Sequence, residues 1–235
     1  AGIAVFGSTT NGEFNDEETE TKSVAILLLD IKKDYFKSYS EAFQSNNYRE
    51  TSQAIAKKAN QEFKQVAFLL VTSNAATDGE EVLIGLQEIN GEDLNAFGGA
   101  AGDDYAFEET WVFTNGWESK HGMVCMAIDE EKVAVSGIAT CGWKAVGTEK
   151  TVTKSEGNHV FTIDDVPALD ITTKYGGLEN ITPESKDLLV ELAANFPLQL
   201  QREKGFLLYT SNAADDMQRV FLCCLLNHYK QTIVV

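Results

Sequence analysis

The sequence predicts an α+β protein: a mixed, largely antiparallel sheet with helices packed on it. Three observations carry this. Short apolar runs bounded by glycine or polar clusters recur along the chain, as buried strands do. Two early stretches instead space their apolar residues at helical intervals. Beyond Thr110, apolar runs succeed one another around turn residues, the pattern of antiparallel strands.

"GIAVFG" at the start and "SVAILLLDI" (Ser23 to Ile31) read as buried strands, separated by the polar loop "STTNGEFNDEETETK". Tyr48, Ile55, Ala59 and Phe63 share one face of a helix spanning Asn47 to Lys64, with charges opposite. "QVAFLLVT" is a buried strand, and a helix from about Asp78 carries Val82, Leu83 and Leu86 on one face. "TWVFTNGWESKHGMVCMAI" holds two apolar runs around Asn115-Gly116, a strong hairpin signal. "KVAVSGIATCGW" continues the series, and "EKTVTKSEGNHVFTID" turns at Gly157-Asn158. Pro167 suits the first turn of a helix through about Tyr175. A helix after Thr182, a strand "KGFLLYT" and a final helix over Asp215 to Tyr229 complete the prediction.

The chain also echoes itself. "FLLVTSNAATD" (Phe68 to Asp78) returns as "FLLYTSNAADD" (Phe206 to Asp216). Two strand–loop–helix units related by a pseudo-twofold would produce this, with Asn74 and Asn212 capping or bracing the corners. Ser, Asn and Asp at a strand-to-helix corner are also ordinary capping choices.

Composition excludes several functions. The chain has 235 residues and 43% hydrophobic content, enough for a sizeable core. A net charge of −17 repels phosphate backbones and anionic lipid heads, so neither nucleic acid nor membrane is an expected partner. No apolar run approaches the roughly 20 residues of a membrane span. Cys125, Cys141, Cys223 and Cys224 form no C-x-x-C pair, which removes spacing support for zinc and suits a reducing, cytoplasmic compartment. The chain opens inside a strand without an initiator Met and so reads as a fragment or mature form.

Small residues gather in "FGGAAGDD" (Phe97 to Asp104). This is not a phosphate loop: two carboxylates would face the anion, and no Gly-Lys-Ser/Thr comes after them. A calcium loop is not spelled either, and adjacent Asp103 and Asp104 point apart in extended backbone. Asp after glycine fixing a local turn is one reading. The sharper one is a hollow beside polar groups, the makings of a small-ligand pocket.

The motifs "GSTTNGE" (Gly7 to Glu13), "FGGAAGDD", "TWVFTNG", "CGW" (Cys141 to Trp143), "VTKSEGNHV" and "DDVPAL" occur in the order seen in FIST domains, which the chain resembles from Gly7 to about Leu169. "NFPLQL" (Asn195 to Leu200) looks like the junction to that family's C-terminal part. The chain departs from the family in carrying Ser8-Thr9-Thr10 where Cys-Ser-Thr is usual. The resemblance implies a non-enzymatic sensory domain of signal transduction that binds small molecules such as amino acids. It divides the chain into a sensory domain over 1–195 and the start of, or a shortened, C-terminal part over 196–235 that packs on it.

The expected ligand site joins Gly98, Gly99, Gly102, Asp103 and Asp104 to Thr9, Thr10, Asn11 and Glu13, with Trp143 as an apolar lid. A carboxylate suits a ligand ammonium, and turn amides suit its carboxylate. The expected partners are that ligand and a signalling partner or fused output domain, with no cofactor and no metal. Two alternatives stand beside this. A haem-binding nitric-oxide sensor needs an axial ligand from His121, His159 or His228. A hydrolase needs Ser8, Thr9 or Cys141 within reach of one of these histidines.

Overall fold

The computed structural model describes residues 2–73, 77–104, 106, 108–137, 147–156 and 159–177, and the backbone alone of 199–202, 205–208, 220–221 and 232–234. It is an α+β fold with mostly antiparallel sheets, in two units that divide after Ile138.

The first unit holds β1 (Phe6–Ser8), β2 (Glu13–Phe14), β3 (Thr19–Glu20), β4 (Phe36–Ala42), α1 (Tyr48–Glu62), β5 (Val66–Thr72), α2 (Gly79–Asn90), β6 (Asn95–Ala100), β7 (Val112–Thr114), β8 (Trp117–Ser119) and β9 (Gly122–Asp129). Its main sheet runs β4-β9-β5-β6; only β5 and β6 are parallel, joined through α2. A smaller sheet has the order β1-β7-β8, and β2 pairs with β3.

β5 and β9 are buried nearly throughout, because both faces of the main sheet are covered. On one face, Val66, Phe68, Leu70, Met123, Cys125 and Ala127 pack with Ile55, Ala56, Ala59, Val82 and Leu86 of the helices. On the other, Val71 and Val124 join Ala101, Val112, Phe6 and Trp117. This alternation is the two-residue period of a strand read twice. Burial raises the Cys125 thiol to about 12, so it is an inert core group.

The helices form as the periodicity predicts. α1 buries Tyr48, Thr51, Ser52, Ile55, Ala56 and Ala59 along one stripe. At α2, the Asp78 carboxylate accepts from the amides of Glu80 (3.0 Å) and Glu81 (3.3 Å), a side-chain N-cap. The two helices meet at Gly85, where an added Cβ would stand 2.4 Å from the Arg49 carbonyl oxygen.

The second unit holds β10 (Glu149–Glu156), β11 (His159–Ile163), β12 (Val166–Pro167), α3 (Ala168–Gly176), β13 (Gln199–Arg202), β14 (Gly205–Leu208), β15 (Val220–Phe221) and β16 (Thr232–Val234). Its sheet runs β12-β11-β10-β16-β13-β14, with β15 also on β11. The β11–β12 connection is Asp164-Asp165, both at positive φ (51° and 63°), as a two-residue hairpin turn requires. α3 starts directly after Pro167 and ends at Gly177 in the left-handed conformation.

Four expectations change. The segment Ser23 to Ile31 is no buried strand: it pairs with no described strand, and Leu27 is 81% exposed. The opening strand is confined to Phe6–Ser8, with Ile3 and Val5 exposed. Residues 134–137 form no strand; they run beside β6, where the Val135 carbonyl accepts from the Asn95 side chain at 2.9 Å. Val220–Phe221 is a strand on β11, so no helix runs unbroken from Asp215 to Tyr229. The helix expected after Thr182, both Asn74 and Asn212, and hence the repeated corners, lie outside the described residues.

Candidate functional site

The parallel strands β5 and β6 end side by side, and the segment after β6 turns across the top of the sheet. The Ala101 amide donates to the Thr72 carbonyl at 2.7 Å, extending the pairing one residue beyond β6. Gly98, inside β6, sits at φ 156° with its missing Cβ only 1.8 Å from the Leu70 carbonyl oxygen. No other residue fits there.

The next residues lock onto the first loop. Gly102 donates to the Thr9 carbonyl at 3.0 Å, and the Asp103 amide donates to Asn11 Oδ1 at 2.8 Å. A side chain at Gly102 would stand 2.3 Å from that same Asn11 oxygen. Thr9 in turn donates its amide to the Trp111 carbonyl and receives the Trp111 amide on Oγ1, both at 3.0 Å. Asp103 closes a local turn: its carbonyl accepts from Ala106 at 3.0 Å and its carboxylate from the Glu108 amide at 2.8 Å. Asp104 comes next at φ 54°, a conformation aspartate tolerates.

Glu13 stands at the other end of the first loop. Its carboxylate accepts from the hydroxyl of Thr10 and from Ser23, through Oγ at 2.7 Å and the amide at 3.3 Å. These donors, the Thr10 hydroxyl foremost, hold the Glu13 carboxyl below its ordinary value. Glu13 is therefore an anion at neutral pH.

The structure thus brings Thr9, Asn11, Gly102 and Asp103 into direct contact. Thr10 and Glu13 bond to each other on the same loop. Gly99 has open space where a side chain would go, whereas Gly98 and Gly102 are filled by protein. The expected role of the turn amides changes accordingly. Those of Ala101, Gly102 and Asp103 are already donated within the protein, so they offer nothing to a ligand carboxylate. Trp143 lies outside the described residues, as do Cys141 and the side chains of His159 and His228. His121 has a different role: Nε2 lies 3.0 Å from the Ser45 carbonyl oxygen, and its ring packs edge-on to Phe43 and Tyr48.

Two residues in this network carry no sequence signal of their own. Ser23 braces Glu13 from ten positions away, and Thr72 receives the Ala101 amide through its backbone, which any residue type would supply. Among the described residues, no group of three or more His, Cys, Asp or Glu side chains is placed to hold a metal ion. No helix among them is long and apolar enough to cross a membrane.

The model of the FIST N domain matches residues 1–166. The chain belongs to the FIST family. FIST domains are sensory domains of signal-transduction proteins, so its role is sensory. The match covers the first loop, the glycine corner and the β10–β11 hairpin. No curated protein and no solved structure matches the chain.

Proposed function

We propose that this FIST domain binds a small cationic ligand, with amino acids carrying their ammonium group as the leading class, at the junction of the first loop and the end of β6. The observation that carries the reading is the clamp of Gly102 and Asp103 onto Thr9 and Asn11, which joins two distant acidic segments. Asp103 and Asp104 belong to one of these segments and the ionised Glu13 to the other, and Gly99 has open space for a side chain. Carboxylates attract an ammonium; with the turn amides occupied, the cationic end of the ligand dominates recognition. The position also agrees with the tendency of ligands to bind outside the carboxyl ends of parallel strands. Binding is non-catalytic. The signal passes to a fused output domain or a cytoplasmic partner.

Calorimetry of the whole chain against a panel of amino acids and simple amines tests it. Heat of binding for at least one amine-bearing member, lost in an Asp103→Asn, Asp104→Asn pair, is the expected result. Silence across the panel, or binding that ignores both substitutions, overturns the proposal.

A further inference from the structure

Residues 24–29, Val-Ala-Ile-Leu-Leu-Leu, are an apolar run that belongs to none of the described strands. Val24, Ile26, Leu27 and Leu28 are each 77–82% exposed, and Leu29 is 47% exposed. Both faces of the segment are therefore open. Among the described residues, none of 24–31 enters a strand pair or a backbone hydrogen bond. Its start is nonetheless pinned, by the bonds from Ser23 to Glu13.

The same residue pattern shows what such a segment does when it has neighbours. "VAILLL" follows the pattern of "VAFLLV" (Val66 to Val71) in β5, sharing Val-Ala, then a large apolar residue, then Leu-Leu. In β5 this pattern is bonded along both edges, to β9 and to β6. An unpaired strand edge of this composition is a template for another chain.

Charge selects the occupant. With Ile26 opposite its own counterpart in an antiparallel pair, Val24 faces Leu28. Just beyond the apolar core, Lys22 then comes within side-chain reach of Asp30, twice by symmetry. Shifting the centre by one residue to Leu27 sets Lys22 against Lys32, like against like. A parallel pair sets every charge against itself. Lys22, at φ 58°, bends the chain into the segment, so these outer pairs form through side-chain reach and not through a continued ladder.

We infer that residues 24–28 form a self-complementary docking strand through which two copies of this chain pair antiparallel about Ile26. The interface is isologous: one patch, used by both partners. It does not depend on the ligand reading above.

Sedimentation of the whole chain across a concentration series, with and without substitutions, decides the matter. The expected result is a monomer–dimer equilibrium whose dissociation constant rises at least tenfold in Ile26→Lys, with circular dichroism unchanged because the side chain is exposed. Oxidative cross-linking adds a register test independent of folding. Ile26→Cys should link to itself, and Val24→Cys should link to Leu28→Cys in a mixture but not to itself. A monomer at every concentration overturns the inference, as does a dimer indifferent to Ile26→Lys. So does a cross-link from position 26 to another part of the chain, which would mean that a different segment covers the strand.

Discussion

Two segments of this protein share a residue pattern and differ in their surroundings. Val66–Val71 forms the centre of a sheet, with Phe68 fully buried; Val24–Leu29 has nearly the same residues and lies open to solvent. The difference is supply of neighbours. β5 has strands on both edges, helices over one face and a small sheet over the other. The earlier segment has none of these among the described residues. Apolar composition makes a strand available; only partners make it a core.

The largest expected contrast breaks the two apart. Phe68→Ala leaves a cavity between sheet and helices and should cost about 3–5 kcal/mol, read from the shift in urea midpoint. Leu27→Ala, at dilute monomeric concentration, should move the same midpoint by no more than about 0.5 kcal/mol. Equal losses would mean that the earlier segment is also part of a core.

Next comes the edge that makes β5 different. Gly98→Ala drives a Cβ into the Leu70 carbonyl and should cost about 1–3 kcal/mol, together with faster hydrogen exchange of the β5–β6 amides. Gly99→Ala, entering open space, is the matched control and should leave both readouts unchanged.

Much of this is legible in the residues alone, and the reasons are specific. The stripe Tyr48–Ile55–Ala59 and the Asp78 cap are local signals, and both helices stand where they point. Asn115-Gly116 and Gly157-Asn158 separate β7 from β8 and β10 from β11, because turn chemistry is also local. Pairing is not. Nothing within Ser23 to Ile31 tells whether another strand will come, so its apolar run reads as buried although it is not. The glycine corner is half legible for a related reason: a missing side chain leaves a gap, and Asn11 or the Leu70 carbonyl, far away in sequence, fills it at Gly102 and Gly98.

Smaller effects sharpen the comparison at its ends. Asp78→Ala removes the cap of the helix that joins β5 to β6 and should cost about 1 kcal/mol in thermal or urea unfolding. The smallest effect belongs to Glu13, which anchors the start of the open segment at Ser23. Its carboxyl is depressed, so its contribution is complete above the ordinary value of 4.5 and is lost as pH falls through the lowered one. Wild type and Glu13→Gln should therefore differ slightly in stability at neutral pH and converge in acid; a difference that grows on acidification would show the opposite linkage.

Thr9 has a mechanical consequence. By holding Gly102 with its carbonyl and Trp111 with its amide and hydroxyl, one residue rivets the loop to the ends of two sheets at once. At Thr9 the loop cannot shift without breaking bonds to both neighbours. A push on it is shared by the strand leaving the glycine corner and the strand entering the small sheet, so a local touch is converted into displacement on both sides of the rivet.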